Sequence, residues 1–125
     1  MIVGTGLDVI EVDRVQKAAT NPLFMRRVFT EGERAYIEQR KKGSPEAMAG
    51  TFAAKEAVSK ALGTGFAHGV EFHNIEICHK PDGFPFAVLT GGARKRLEEI
   101  GGSRVHISIS HIKSVAVAQA VIEDG

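Results

Sequence analysis

Hydrophobic and polar positions alternate along residues 2–11, and this alternation predicts a β-strand. Two glycines leave open space on the side from which Asp8 projects. A carboxylate in such a place is costly unless a cation or several hydrogen-bond donors satisfy it, although Asp8 capping the next turn is an alternative. The side that carries Asp8 also carries Ile2, Gly4, Gly6 and Ile10, and the opposite side carries Val3, Thr5, Leu7, Val9 and Glu11.

Helical patterns follow this strand. Residues 13–20 and 23–29 predict two short helices, which the pair Asn21-Pro22 separates. The segment Thr30–Glu33 has the spacing of a capping box, so it predicts the start of a helix that runs to about Arg40.

A longer helix is predicted to begin at Ser44 and Pro45 and to end at Gly63. Alanine, lysine, glutamate and leucine dominate its second half, and glycine is a common residue just after a helix end. One face of this helix carries a carboxylate, an ammonium and a hydroxyl, and it leads to a loop whose backbone N–H groups we expect to face an anion. Because residues three or four apart share a face, the members are Phe52, Glu56, Ser59, Lys60 and Gly63.

The second half of the chain predicts a hairpin, a short helix and a second hairpin. Together with the first half, this order predicts an α+β fold over residues 1–125 as a single domain. We expect an antiparallel sheet packed with one long central helix and several short helices. The predicted elements are strands at 71–79 and 84–89 around the turn Pro81–Gly83, a helix at 93–100, and strands at 104–110 and 115–122.

One side of the last predicted strand consists of alanines, namely Ala116, Ala118 and Ala120. Small side chains permit close approach by another layer of structure. Two interpretations follow: this side packs on the long helix, or it packs on a second copy of the chain in an oligomer.

Composition narrows the class of protein. The chain has 125 residues, 43% hydrophobic and 25% charged, as in an ordinary soluble domain. The net charge of +1 indicates no general attraction to nucleic acid or membranes, but eight of the sixteen lysines and arginines precede residue 43, so a local basic surface for an acidic partner is possible. A single cysteine, no leader peptide and no apolar run of about 20 residues favour a cytoplasmic protein.

The pattern of charged residues suggests a metal-dependent phosphate site. Magnesium is commonly held by one or two carboxylates together with substrate phosphates and waters, and lysine acts as a point charge on phosphate oxygens. We therefore predict that Asp8 and Glu56 bind one Mg²⁺ and that Lys60 faces a phosphate beside it. The alternative is an ordinary exposed i,i+4 ion pair between Glu56 and Lys60, worth ~0.3–0.5 kcal/mol.

Several motifs in the right order resemble those of the short-type phosphopantetheinyl transferases, the holo-acyl-carrier-protein synthase family. The resemblance covers nearly the whole chain, with some departures. Thr51 stands where many relatives carry an arginine, so that either one phosphate contact is lost or Lys42 supplies it. Leu23 and Ala18 stand where the carrier-binding surface is often basic or larger. The motifs are Gly6-Leu7-Asp8, the run from Phe52 to Ala61, Gly63-Thr64-Gly65, Gly83-Phe84-Pro85 and Ser108-Ile109-Ser110-His111.

The resemblance implies an activity in fatty acid biosynthesis. Phosphopantetheine would move from coenzyme A to a serine of apo acyl carrier protein, with Mg²⁺ as cofactor and release of adenosine bisphosphate. It also implies a homotrimer whose active sites are shared between subunits. A non-catalytic module that binds coenzyme A or a nucleotide is the alternative.

The same resemblance implies roles for individual residues. Asp8 and Glu56 would hold the metal and, with Lys60, form the catalytic set. The residues that would contact coenzyme A are Ser59, Lys60, Gly63, Pro85 and His111, and those that would contact the carrier protein are Arg14, Phe24 and Arg27.

Overall fold

The computed structural model describes residues 1–125, which form five helices and five strands. Two short turns of 3-10 helix, Lys41–Gly43 and Phe72–Asn74, complete the regular structure. In chain order the elements are β1 (Ile2–Glu11), α1 (Val12–Ala18), α2 (Pro22–Val28), α3 (Glu31–Gln39), α4 (Ser44–Ala61), β2 (Ile75–His79), β3 (Pro85–Leu89), α5 (Gly91–Glu99), β4 (Arg104–His111) and β5 (Val115–Glu123).

The strands form two antiparallel sheets, which confirms the α+β class but divides the single sheet that the sequence predicts. The larger sheet has the strand order β1-β5-β4, so the first and last strands of the chain are neighbours. The smaller sheet is the hairpin of β2 and β3. In the larger sheet Asp8 lies opposite Ala118, and His111 lies opposite Ala116.

Helix α4 is 18 residues long and packs against all three strands of the larger sheet. Glycines make the contact with β1 unusually close: a Cβ atom at Gly6 would lie 1.9 Å from the carbonyl oxygen of Ala57, and one at Gly4 would lie 2.1 Å from that of Ala61. The alanine side of β5 is buried in the same layer. These alanines therefore pack in the core on the helix, and not on a second copy of the chain.

Most predicted boundaries differ from the observed ones by one or two residues, and the start of β2 differs by four. Residues 72–74 form a helical turn and not strand, because Asn74 accepts a hydrogen bond from the backbone N–H of Glu71 and closes the turn. Helix α4 begins at Ser44, but the Ser44 side chain makes no capping hydrogen bond. The predicted capping box of α3 is confirmed, since Thr30 and Glu33 bond reciprocally at 3.2 and 2.8 Å.

A buried ion pair joins α3, α4 and β2. Lys55 Nζ lies 2.6 Å from Glu33 Oε1, and both side chains are 0% exposed. The other carboxylate oxygen of Glu33 accepts the backbone N–H of Ile77 at 2.7 Å. This pair links α3 and the first strand of the hairpin to the helix that carries Glu56.

The side of the larger sheet that faces away from α4 carries exposed apolar residues. Leu7 and Val9 on β1 are 58% and 61% exposed. Val117 on β5 lies opposite Val9 on one neighbour and opposite Ser110 on the other. We call this the outer sheet face. None of the helices is both long and apolar enough to cross a membrane.

Candidate active site

The contact between β1 and α4 brings Asp8 to Lys60. Lys60 Nζ donates to Asp8 Oδ1 at 3.0 Å and to the carbonyl oxygen of Leu7 at 3.1 Å. The Asp8 side chain is 14% exposed and that of Lys60 is 50% exposed. Asp8 therefore does not cap the following turn, and Lys60 pairs across the strand–helix contact instead of with Glu56 on its own helix.

Glu56 is the second carboxylate at this place. Burial raises its pKa, the negative charge of Asp8 raises it further, and the positive charge of Lys60 lowers it. Glu56 lies one turn before Lys60 on α4, and Lys60 bonds to Asp8, so the three side chains share one region of the β1–α4 contact. We call them the Asp8 cluster.

This cluster fits a hard divalent cation in the chemistry of its donors. The structure contains no group of three or more His, Cys, Asp or Glu side chains that would form a complete metal cage. Magnesium does not need one, because it usually keeps several waters and binds through one or two carboxylates and substrate phosphates. A cation here would also relieve the repulsion between the two carboxylates that raises the pKa of Glu56.

The backbone N–H groups of the loop after α4 do not point to an open anion site. The backbone of Gly63 has φ +81°, which suits glycine at a helix end. Its N–H donates to the Lys60 carbonyl at 2.9 Å, and the N–H groups of Thr64 and Gly65 both donate to the Ser59 carbonyl. These N–H groups close the helix, so the prediction that they are free for an anion is wrong.

Ser59 lies in the core, although it was predicted to contact coenzyme A. Its side chain is fully buried, and its hydroxyl donates to the Glu56 carbonyl at 2.7 Å. Its own carbonyl holds the loop that follows the helix. In this chain Ser59 therefore supports the loop beside Gly63, whereas Gly63 itself is exposed.

Pro85 and His111 lie together in a different place. Both line a cavity of about 200 Å³ between the hairpin, β4 and the first turns of α4, which none of Asp8, Glu56 or Lys60 lines. Within one chain, the residues that the resemblance assigns to coenzyme A are therefore distributed between the Asp8 cluster and this cavity.

An aromatic pair and a cation form part of this cavity. The rings of Tyr36 and His79 stack at 3.8 Å between centroids, and the Arg40 guanidinium lies 5.9 Å from the Tyr36 ring. Burial, together with the charge of Arg40, lowers the pKa of His79, whose buried Nδ1 has no hydrogen-bond partner. Thr51 also lines the cavity, and the cation that accompanies it there is Arg40 and not Lys42.

The three residues predicted to contact the carrier protein lie on α1 and α2. Arg14 and Arg27 are exposed, whereas Phe24 is half-buried. The Phe24 ring packs between Phe29 and Phe52 at centroid distances of 6.2 and 6.1 Å. The two arginines thus present positive charge, and Phe24 links their surface to the helix that carries Glu56.

The sequence patterns did not indicate the buried pair of Lys55 and Glu33. Lys55 lies in the helical run from Phe52 to Ala61, where functional and packing residues are interspersed. The capping box by itself gave a sufficient reason for the carboxylate of Glu33. One signal was available: Ala53, Ala54 and Ala57 surround Lys55 in the sequence, and its neighbours one turn away on the helix, Thr51 and Ser59, carry no charge that could pair with it. A lysine on an apolar helix side needs a buried partner.

With this geometry established, comparison with known proteins identifies the family. A family model described as the 4'-phosphopantetheinyl transferase superfamily matches residues 4–120. The chain belongs to this superfamily. Within it, the chain is an enzyme of the holo-[acyl-carrier-protein] synthase type, which confirms the resemblance.

Individual transferases of this type match the chain over nearly its whole length. The holo-[acyl-carrier-protein] synthase of Clostridium acetobutylicum is 50% identical over 125 residues, covering 98% of each chain. The crystal structure of the Bacillus anthracis synthase in complex with coenzyme A (3',5'-ADP) is 41% identical with a TM-score of 0.84, covering 100% of this chain and 99% of the other. The Neisseria meningitidis synthase structure has a TM-score of 0.88 at 36% identity, covering 99% and 100%.

Proposed function

We propose that this transferase moves 4'-phosphopantetheine from coenzyme A to a serine of apo acyl carrier protein and releases adenosine 3',5'-bisphosphate. The observation that carries the proposal is the convergence of Asp8, Glu56 and Lys60 at the β1–α4 contact. The names of the relatives support the reaction type, and the coenzyme A complex of the Bacillus anthracis enzyme supports the donor.

The chain's own residues have distinct tasks in this reaction. Lys60 is half exposed and would place its ammonium against the diphosphate of coenzyme A. Asp8 and Glu56 would hold Mg²⁺, which when bound neutralises charge on the diphosphate and polarises it toward attack. Phosphoryl-type transfer depends mainly on such positioning and electrostatic stabilisation, so a small set of side chains is sufficient.

We further propose that the active site is shared between the subunits of a homotrimer. Pro85 and His111 line a cavity that none of Asp8, Glu56 and Lys60 lines, and a neighbouring chain that brings its own Pro85 and His111 to the Asp8 cluster would complete the coenzyme A site. The outer sheet face, with exposed Leu7 and Val9, is an apolar surface suited to such assembly.

Arg40 would contribute to the coenzyme A site from this second subunit. The structure has Arg40, Pro85 and His111 on the same cavity, and Thr51 there cannot bind an anion by charge. Arg40 is thus a better candidate than Lys42 to replace the arginine that many relatives carry at the position of Thr51.

The acyl carrier protein would bind at α1 and α2. Arg14 and Arg27 are exposed there and have the charge to attract an acidic partner. Phe24 would contribute through the part of its ring that remains exposed.

A mass spectrum of apo acyl carrier protein incubated with coenzyme A tests this proposal. We expect a mass gain of one phosphopantetheine with the wild-type chain and Mg²⁺, and none when the metal is chelated. The Glu56→Gln variant should fold but lose transfer, whereas Glu38→Gln on the exposed side of α3 should retain it. Normal transfer by Glu56→Gln would remove Glu56 from the site.

Two further measurements address the alternatives. Coenzyme A binding by both wild type and Asp8→Asn without any transfer would favour the non-catalytic binding module. Mixed refolding of Glu56→Gln with His111→Ala chains should restore transfer, because the mixed assembly then contains an intact Glu56 from one subunit beside an intact His111 from another. Failure of this mixture to exceed the two separate variants would contradict shared sites.

A further inference from the structure

The carboxyl end of α4 is electrostatically a poor place for an anion. The last carbonyl groups of a helix lack partners within it and form the negative end of the helix dipole. The N–H groups that follow, from Gly63 to Gly65, are all directed back to carbonyls of α4. A diphosphate beside Gly63 would therefore meet carbonyl oxygens unless a cation neutralises this end.

Lys60 lies in the last turn of α4 but is directed elsewhere. Its ammonium bonds to Asp8 and to the Leu7 carbonyl on the β1 side of the helix. The carbonyl of Leu62, immediately before the glycine loop, needs another partner.

That partner comes from α5. Arg96 Nε donates to the Leu62 carbonyl at 2.8 Å, across 34 positions of sequence. The Nη2 atom of the same guanidinium lies 3.4 Å from the position that a Cβ of Gly63 would occupy. Its contact with Glu99 on α5 is long, with 3.8 Å between Nη1 and the carboxylate oxygen, so this acid does not fully compensate the charge of Arg96.

We propose that Arg96 is a positioning residue for coenzyme A, an inference that rests on the proposed function. It neutralises the carboxyl end of α4 and holds the Gly63–Gly65 loop against that end, so that the diphosphate can bind beside Lys60. Two cations then bracket the end of the helix: Lys60 on the β1 side and Arg96 on the α5 side.

Arg94 on the same helix provides a matched control. It is exposed and forms an i,i+4 pair with Glu98 at 3.4 Å, and no hydrogen bond or ion pair joins it to α4. Arg94→Ala removes the same charge from the same helix, so it reports the general effect of net charge on binding. Of these two arginines, only Arg96 hydrogen-bonds to the end of α4, next to Gly63.

The test is steady-state transfer with the full chain, coenzyme A, Mg²⁺ and apo acyl carrier protein. We expect Arg96→Ala to raise the KM for coenzyme A about tenfold, which corresponds to about 1.4 kcal/mol, with kcat and the KM for the carrier protein nearly unchanged. The increase should shrink at high salt, because screening weakens the charge effect. Arg94→Ala should leave the KM for coenzyme A unchanged.

Two conservative variants separate charge from loop packing. Arg96→Lys keeps the charge and should recover part of the affinity, whereas Arg96→Gln offers a neutral donor to the Leu62 carbonyl and should not. If Arg96→Ala fails to fold, the KM values for coenzyme A of Arg96→Lys and Arg96→Gln test the inference instead, and it requires the lower KM in Arg96→Lys. Equal KM values for these two variants and the wild type would overturn the inference.

The outcomes distinguish this inference from the proposed function. Transfer by the wild type with an unaltered KM in Arg96→Ala overturns the role of Arg96 alone. A wild type that performs no transfer, with or without Mg²⁺, overturns the proposed function and the inference with it.

Discussion

Lys55 and Glu33 are charged side chains that the fold excludes fully from solvent. Burial lowers the pKa of Lys55, and the charge of Glu33 opposes this effect. Glu33 also accepts hydrogen bonds from the backbone N–H groups of Thr30 and Ile77. A buried pair of this kind contributes little as a unit compared with apolar residues, but the loss of one partner leaves an uncompensated charge in the core.

We therefore predict a large loss of stability from single replacements of this pair. Lys55→Met should lower the free energy of unfolding by about 3–5 kcal/mol, because Glu33 is then buried without its cation. Adding Glu33→Gln should cost less than the sum of the two single changes. Urea unfolding measures this, with Lys17→Met as control, since the exposed pair of Lys17 and Asp13 is worth under about 1 kcal/mol. Additive losses would contradict the coupling.

The lowered pKa of His79 predicts that the free energy of unfolding depends on pH. Its pKa is lowered mainly by burial, so below its ordinary value near 6.5 the unfolded chain binds a proton that the folded chain does not. Its contribution to stability is present above that pH and is lost as the pH falls through the lowered pKa. His79→Phe preserves the stack on Tyr36 and should make the loss between about pH 7 and pH 5 smaller, as measured by urea unfolding. His68→Asn, at an exposed position, serves as the control, and an unaltered pH profile in His79→Phe would contradict the prediction.

At the scale of elements, the contact of β1 with α4 creates the candidate active site. Gly4 and Gly6 allow the helix backbone to lie directly on the strand. Asp8 follows on the same side of the strand, so it reaches Lys60 at 3.0 Å. The close approach of the two elements thus sets the distance across which Asp8 and Glu56 would hold the proposed Mg²⁺.

A methyl group at this contact should separate the two elements. Gly6→Ala would place its Cβ 1.9 Å from the Ala57 carbonyl oxygen, and backbone atoms cannot move aside as a flexible side chain does. We expect a loss of about 3 kcal/mol in the free energy of unfolding, together with weaker Mg²⁺ binding in calorimetry. At Gly43 a Cβ meets nothing within 4 Å, so Gly43→Ala should change stability by less than about 0.5 kcal/mol. Equal stabilities for the two variants would contradict the contact.

At the scale of the whole molecule, the outer sheet face and the division of the site point to the same assembly. Leu7 and Val9 are more than half exposed on a strand whose other side is packed against α4. Pro85 and His111 line a cavity apart from the Asp8 cluster. An oligomer whose subunits contact one another through the outer sheet face would bury Leu7 and Val9. It would also bring Pro85 and His111 of one subunit to the Asp8 cluster of another.

Charge on the outer sheet face should therefore prevent assembly and activity together. We expect Leu7→Lys with Val9→Lys to sediment as a monomer and to lose transfer, because lysines cannot be buried there without partners. Val88→Lys, at a position 41% exposed on the separate hairpin, should keep both properties. A wild type that sediments as a monomer, or an active monomeric variant, would contradict the proposed trimer.

The elements with short-range signals could be predicted well from the sequence. The capping box of Thr30 and Glu33 begins α3 as expected, and alternation identifies β1 with its observed bounds. Residues 72–74 could not be predicted, because alternation continued through a turn that Asn74 closes with its own side chain. Periodicity reports one face of an element and does not report such local hydrogen bonds.

By itself, the sequence determined the helices and strands approximately, the α+β class, and the three residues Asp8, Glu56 and Lys60 as one candidate site. Spacing along a helix and a strand contains this information, since residues that share a face remain together wherever the element packs. Only the tertiary structure decided that Lys60 pairs with Asp8, that Lys55 requires Glu33, and that Arg96 reaches the end of α4. Each of these contacts joins positions far apart in the chain, and only the packing of whole elements brings them within hydrogen-bonding distance.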